Sequence, residues 1–275
     1  MINAVGEYCV RDTCLSVTKE GDFIRVTWTK SAFVSGYEKA NKKKDIKFDY
    51  EGDFAKSDSS LARTRSIVRE YARCNNWEYF CTFTISPDKF DRFDLSGFYK
   101  SFSKYINNLN SRRQDNAKLL YMLIPEQHEN GSWHFHGLMT GIPDDQLQVN
   151  ENGYLDWPKL RNKFGFCSLS PVRDHEAVIK YIQKYITKDF LKTEIQRNYR
   201  FVLASTGLKK GIKLRKIYGL ALDKLKNYVK FDYISKEGDI AICTIKPSGM
   251  YEDKFLADLD ELFIAEKQKE VENDS

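Results

Sequence analysis

At 275 residues, 41% hydrophobic and 14% aromatic, the chain is long enough to bury a substantial core and too apolar for a disordered polymer. No apolar run approaches the roughly 20 residues of a membrane span, and six scattered cysteines without a C-x-x-C pair read as reduced thiols of a cytoplasmic protein, not a disulfide framework or thiolate zinc site. The net charge of +5 conceals a polarity: residues 251–275 carry nine acids and three lysines, a net −6, which leaves +11 on residues 1–250 and suits a polyanionic partner.

Taken in order, residues 1–58 contain short β-type runs such as Phe23-Ile24-Arg25-Val26-Thr27-Trp28 and a cluster at Lys42-Lys43-Lys44, without catalytic spacing. They read as an accessory β-rich region. Ser59-Ser60-Leu61 can start a helix whose apolar positions include Leu61, Ile67, Val68 and Tyr71. Tyr79 to Ile85 is β-branched and aromatic and is stopped by Ser86-Pro87, a strand. Phe98, Phe102, Tyr105, Ile106 and Leu109 mark one side of a helix over 95–109. Residues 119–127 and 133–140 are strands around the turn signal Glu129-Asn130-Gly131-Ser132. Asp156 and Pro158 start a helix over 157–163, and 166–172 is a further strand. Asp174 caps a helix expected to run through Lys188, and 199–204 is strand-like. This β-α-β-β-α-β-α-β order, with a tight hairpin at its centre, excludes a doubly wound parallel sheet and predicts an α+β fold on a central antiparallel sheet flanked by helices. Residues 207–250 follow as a basic extension. In the acidic tail, 251–275, Phe255, Leu256, Leu259, Leu262 and Phe263 have helical spacing and predict a docking helix.

Two patterns carry chemistry. Residues two apart on a strand share a face, so His134 and His136 are neighbours able to hold one cation. The opposing strand offers a hard oxygen at Glu126, and hairpin register decides whether it faces the histidines. A two-residue Asn130-Gly131 turn pairs His134 with Gln127. A longer connection with a bulge pairs His128 with His134 and Glu126 with His136, leaving His128 at the solvated rim. The second is favoured because a carboxylate offsets the charge of a dication. Two imidazoles and a carboxylate suit Mn²⁺ or Mg²⁺ acting as a Lewis acid, and would also accept Zn²⁺ or Fe²⁺.

The second pattern is Tyr181-Ile182-Gln183-Lys184-Tyr185-Ile186-Thr187-Lys188. Four helical residues advance the direction by about 40° past a full turn, so Tyr181 and Tyr185 stack on one face beside a stripe of Lys184 and Lys188. Tyrosines at this spacing are usually core. Two Y-x-x-K copies after an H-x-H reverse that reading, because a phenol needs a neighbouring cation to become a nucleophile.

Three ordered motifs across residues 79–188 together resemble the HUH superfamily of single-strand endonucleases, in particular rolling-circle replication initiators with two tyrosines. They are Phe80-Cys81-Thr82-Phe83-Thr84, Glu126 with Gly131 and His134-Phe135-His136, and Tyr181-x-x-Lys184-Tyr185-x-x-Lys188. Trp133 stands where proline commonly precedes the first histidine. The resemblance implies a ferredoxin-like or RRM-like endonuclease domain over 59–206 with terminal extensions, in a bacterial host cell. It further implies a metal-dependent nick in single-stranded or hairpin origin DNA, leaving a 5′-phosphotyrosyl enzyme and a 3′-OH primer, with host helicase and polymerase as partners. A relaxase or transposase using the same chemistry, and a non-catalytic single-strand binder, are the alternatives.

Overall fold

The computed structural model describes residues 4–37, 58–114, 117–186, 202–247 and 251–273. The chain opens with β1 (Ala4–Glu20), β2 (Phe23–Tyr37) and α1 (Asp58–Cys74). It continues through β3 (Tyr79–Ile85), α2 (Leu95–Ser111), β4 (Leu120–Gln127), β5 (Trp133–Thr140), β6 (Gln148–Val149) and β7 (Leu155–Asp156). Then come α3 (Pro158–Phe164), β8 (Gly165–Pro171), α4 (His175–Ile182) and β9 (Leu203–Ala204). The last elements are β10 (Ile212–Tyr218), α5 (Leu222–Leu225), β11 (Tyr233–Ile234), β12 (Ile240–Ile245) and α6 (Tyr251–Asn273). Residues 52–210 form one compact unit, and 1–51 with 211–275 form a second.

In the 52–210 unit the strands lie in the order β6-β7-β8-β3-β5-β4-β9, with β8, β3, β5 and β4 paired antiparallel. The β3-α2-β4-β5-α3-β8 core thus has its fourth, first, third and second strands side by side, the ferredoxin-like arrangement. The pleat separates two faces. Cys81, Phe83, Leu123, Phe135 and Cys167 point to one and pack against Phe98, Phe102 and Ile106 of α2 and Leu160 and Phe164 of α3. Phe98 stacks on Phe135 with centroids 4.4 Å apart, and each such ring contributes roughly 1.5–3 kcal/mol by leaving water. Met122, Ile124 and Leu138 point the other way and pack against Val68 and Ala72 of α1 and Ile179 and Ile182 of α4. Gly137 lies where β5 and β4 approach closely: a Cβ there would overlap the Met122 carbonyl oxygen and the Leu123 side chain.

Local caps explain where helices begin. Asp94 accepts a hydrogen bond from Gly97 N at 2.9 Å to start α2, and Asp174 accepts one from Ala177 N at 3.0 Å to start α4. For α3 the cap is Trp157 rather than Asp156, and it makes no side-chain cap bond. Asp156 is instead buried and pairs with Arg161 Nε at 3.1 Å, the neighbouring charge outcompeting the backbone amides. Helix α4 ends at Ile182 and tightens into a 3₁₀ turn over Gln183–Tyr185, so it is shorter than its spacing predicts. Residues 187–201, including the beginning of the strand expected over 199–204, lie outside the described residues.

The second unit is a five-stranded antiparallel sheet in the order β10-β1-β2-β12-β11. Phe255, Leu259 and Leu262 of the acidic tail are buried against Leu15, Val17, Ile24, Val26, Trp28, Ala241 and Cys243. The tail is therefore a core helix, as its spacing predicts. Trp28 Nε1 donates to the Leu220 carbonyl at 2.7 Å and ties β2 to the turn after β10. The molecule is α+β, with two antiparallel sheets flanked by helices. Among the described residues no helix is long and apolar enough to cross a membrane. Leu259→Ala should cost about 2–5 kcal/mol by opening a cavity in a fully buried position. Urea unfolding followed by tryptophan fluorescence measures the loss through Trp28.

Candidate metal centre and tyrosine pair

The hairpin decides the geometry of the centre. His128 N donates to the Ser132 carbonyl at 2.9 Å, and Gly131 N donates to the His128 carbonyl at 2.8 Å. The turn proper is therefore Glu129-Asn130-Gly131, closed by Gly131 at φ +82°, a conformation that L side chains rarely adopt. Beyond it Glu126 pairs with His134 and Gln127 with Trp133. This corrects both expected registers. Neither Gln127 nor His128 lies opposite His134, and Glu126 lies opposite His134 rather than His136, because the strands close earlier, at His128 and Ser132. Parity nevertheless places Glu126 on the face of both histidines.

The ligand atoms of Glu126, His134 and His136 all lie within 4.8 Å of one another, a candidate divalent-metal triad. His136 Nε2 is 2.9 Å from Glu126 Oε2, and the two imidazole centroids are 4.7 Å apart. Strand β3 supports the rings from beneath: Thr84 Oγ1 is 2.8 Å from His134 Nδ1, and Thr82 Oγ1 is 3.4 Å from His136 Nδ1. A hydroxyl donates or accepts, so it satisfies Nδ1 in either tautomer while Nε2 faces the cluster. Burial lowers both histidines to about 4, helped at His134 by the neighbouring His136 and His128 and at His136 by His128. At neutral pH both rings are uncharged, which ligation requires. The His136–Glu126 contact is accordingly a hydrogen bond from a neutral imidazole and not an ion pair. The donor set of two neutral imidazoles and a half-exposed carboxylate fits a divalent cation with open coordination positions. His128 is exposed at the rim with its ring 5.1 Å from that of His134.

The tyrosines meet the same place from α4. Tyr185 stacks on His136 with centroids 3.6 Å apart, and its hydroxyl donates to the Tyr181 hydroxyl at 2.8 Å. Phe80 of β3 packs edge-on to Tyr181 at 5.3 Å and stacks with Tyr185 at 6.5 Å. Tyr181 is 44% exposed, so its oxygen can be reached from solution. Burial holds the Tyr185 phenol above its ordinary range, reinforced by the hydrogen bond to Tyr181. Lys184 Nζ lies 5.3 Å from the Tyr181 ring centroid. Lys188, the other lysine of the repeat, lies outside the described residues.

Helix α1 holds α4 in place. Arg65 donates twice to the Ile186 carbonyl, at 2.8 and 3.1 Å, and Arg73 pairs with Glu176 at 3.5 Å. Spacing alone missed these contacts because they join residues more than a hundred positions apart. It also missed Phe166, which is 47% exposed and lies in one row across the sheet with Thr84, His134 and Glu126. An aromatic at an even position of β8, set against the buried odd positions, was its only sequence signal.

Fold and site together define an α+β domain carrying a two-histidine, one-carboxylate cluster against a pair of tyrosines. Residues 78–190, less than half of the chain, match the profile of a family of replication-associated proteins, the ORF2 type. This similarity supports a role as a replication initiator. No curated protein and no solved structure matches the chain.

Two outcomes follow from the geometry. Unfolded histidines titrate near 6.5 and the folded pair near 4, so between those values the unfolded state binds more protons and stability falls with pH. Urea unfolding in EDTA at pH 7 and pH 5 should show this loss, and His134→Gln/His136→Gln should reduce it. Arg65→Ala should release the end of α4, moving the near-ultraviolet circular dichroism of the tyrosines while leaving metal affinity by calorimetry within about threefold, since the ligands sit on strands.

Proposed function

We propose that the 52–210 unit nicks single-stranded DNA at a replication origin by transesterification onto tyrosine. The observation that carries this reading is the stacking of Tyr185 on His136, with Tyr181 hydrogen-bonded to it. It sets two phenols against a metal-binding cluster, which a structural tyrosine pair would not need. The motif resemblance and the similarity to a replication-associated family support the same reading.

Glu126, His134 and His136 would hold Mn²⁺ or Mg²⁺, which when bound withdraws charge from a scissile phosphate as a Lewis acid. The Tyr181 oxygen, exposed and accepting a hydrogen bond from Tyr185, attacks phosphorus after losing its proton to solvent. Lys184 beside the ring favours the phenolate. The bond from phosphorus to the 3′ oxygen breaks, that oxygen takes up a proton, and the products are a 3′-OH and a phosphodiester to tyrosine on the 5′ side. No external energy is required, since one ester replaces another. Tyr185 then serves as the second nucleophile, transferring the chain after a round of synthesis, with Lys188 assigned beside it from spacing alone. Phe166 offers a base-stacking surface in line with the cluster. The primer would be extended by host polymerase behind a host helicase, in the cytoplasm of a bacterial cell.

The test uses a random-sequence single-stranded oligonucleotide pool with Mn²⁺, a denaturing gel, and sequencing of the DNA in any covalent adduct. Wild type should yield adducts enriched in one sequence. Tyr181→Phe should lower first-strand adduct by at least about a hundredfold, and Tyr181→Phe/Tyr185→Phe should abolish it. Adduct persisting in the double variant, or no adduct from wild type on any sequence, overturns the reading. Phe166→Ala should weaken binding to the enriched sequence by roughly 5- to 150-fold, read by fluorescence anisotropy in EDTA.

A further inference from the structure

The second unit has a face that the chemistry above does not use. Helix α6 lies on one side of its sheet, where Glu252 pairs with Lys19 at 2.7 Å and Asp260 with Arg215 at 3.0 Å. A bulge between Val17 and Thr18 of β1, opposite Arg215 and Lys213, turns both Leu214 and Arg215 towards that helix. The remaining residues of β10 alternate, so Lys213, Lys216 and Tyr218 face the opposite side of the sheet.

On that opposite side the pairing sets out three rows. Lys213, Thr18, Arg25 and Thr244 form the first. Lys216, Ser16, Thr27, Ile242 and Tyr233 form the second, and Tyr218, Cys14, Thr29 and Ile240 the third. The middle of the face is thus built largely of small hydroxyl side chains. Lys213 and Lys216 are exposed at one edge, and Tyr233 is 56% exposed at the other. Lys216 Nζ sits 4.9 Å over the Tyr218 ring. The carboxylate on this side, Glu20, is buried beside Arg25 at 3.5 Å and adds no exposed negative charge. The acidic tail and the lysine rows therefore occupy opposite sides of one sheet.

We propose that this hydroxyl-and-lysine face of the second unit binds single-stranded DNA, as a contact separate from the tyrosine site. Small side chains let a backbone approach the strands closely, serine and threonine hydroxyls donate to phosphate oxygens, and lysines neutralise them. Exposed tyrosine rings provide faces on which bases of any sequence stack. The proposal rests on the reading that the chain acts on single-stranded DNA, and it assigns this face the strand that flanks the nick.

The test is binding without chemistry: full-length protein in EDTA, titrated onto a labelled single-stranded oligonucleotide and onto a hairpin duplex over a range of salt. Lys213→Gln/Lys216→Gln should reduce the magnitude of the salt slope for the single strand by roughly 1.4, at about 0.7 per lost phosphate contact. Lys100→Gln/Lys104→Gln on the exposed side of α2 should change it by less than half as much. Tyr233→Ala should weaken single-strand binding at least about fivefold without changing the slope. Unfolding midpoints matching wild type certify that each variant is folded. An unchanged slope in Lys213→Gln/Lys216→Gln overturns the proposal, as does a loss confined to the hairpin. The readout needs neither metal nor tyrosine, so failure of the nicking reading leaves it standing and its own failure leaves the nicking reading intact.

Discussion

The pleat of one hairpin governs this molecule. Glu126, His134 and His136 share a face because their positions have the same parity in an antiparallel pair whose register is closed by the His128–Ser132 bond and the left-handed Gly131. Shifting the register by one residue would turn Glu126 to the opposite face and leave the imidazoles with no carboxylate. The hydroxyls of Thr82 and Thr84 obey the same constraint from the other flanking strand, since they point to the histidine side only while β3 keeps its pairing with β5.

The two faces of that sheet carry different tasks. One is closed by α2 and α3 over a layer of phenylalanines and supplies stability. The other is covered by α1 and α4 and ends in the histidine cluster, so desolvation there has a chemical consequence: it keeps both imidazoles neutral. Helix α4 could not place two tyrosines reproducibly from one short element. It is held by Arg65 and Arg73 of α1 at its two ends, and by Phe80 from the sheet. The change from α-helix to 3₁₀ turn at Gln183 occurs just where Tyr185 lies against His136.

The second unit shows how charge that is mixed in the chain becomes separated in space. The acids of the C-terminal helix pair with Lys19 and Arg215 on one side of the sheet, while Lys213 and Lys216 face the other. Helix Tyr251–Asn273 buries Phe255, Leu259 and Leu262, so its acidity belongs to the solvent side of a core element and not to a loose tail.

Much of this was legible in residue order. Alternation over 79–85 and 133–140, the Asp174 cap and the spacing of Phe98, Phe102 and Ile106 set element types, because such patterns report local periodicity. H-x-H parity and the Y-x-x-K repeats named the chemistry, since both depend only on neighbours along the chain. Hairpin register was misjudged by a residue or two, because a turn's closing pair depends on backbone bonds that a dipeptide signal such as Asn130-Gly131 does not specify. The exposed Phe166, the Arg65 strut, the Thr–His contacts and the joining of residues 1–51 with 211–275 were decided by tertiary structure alone. Each is a contact between positions far apart in sequence, and only folding sets the distance between them.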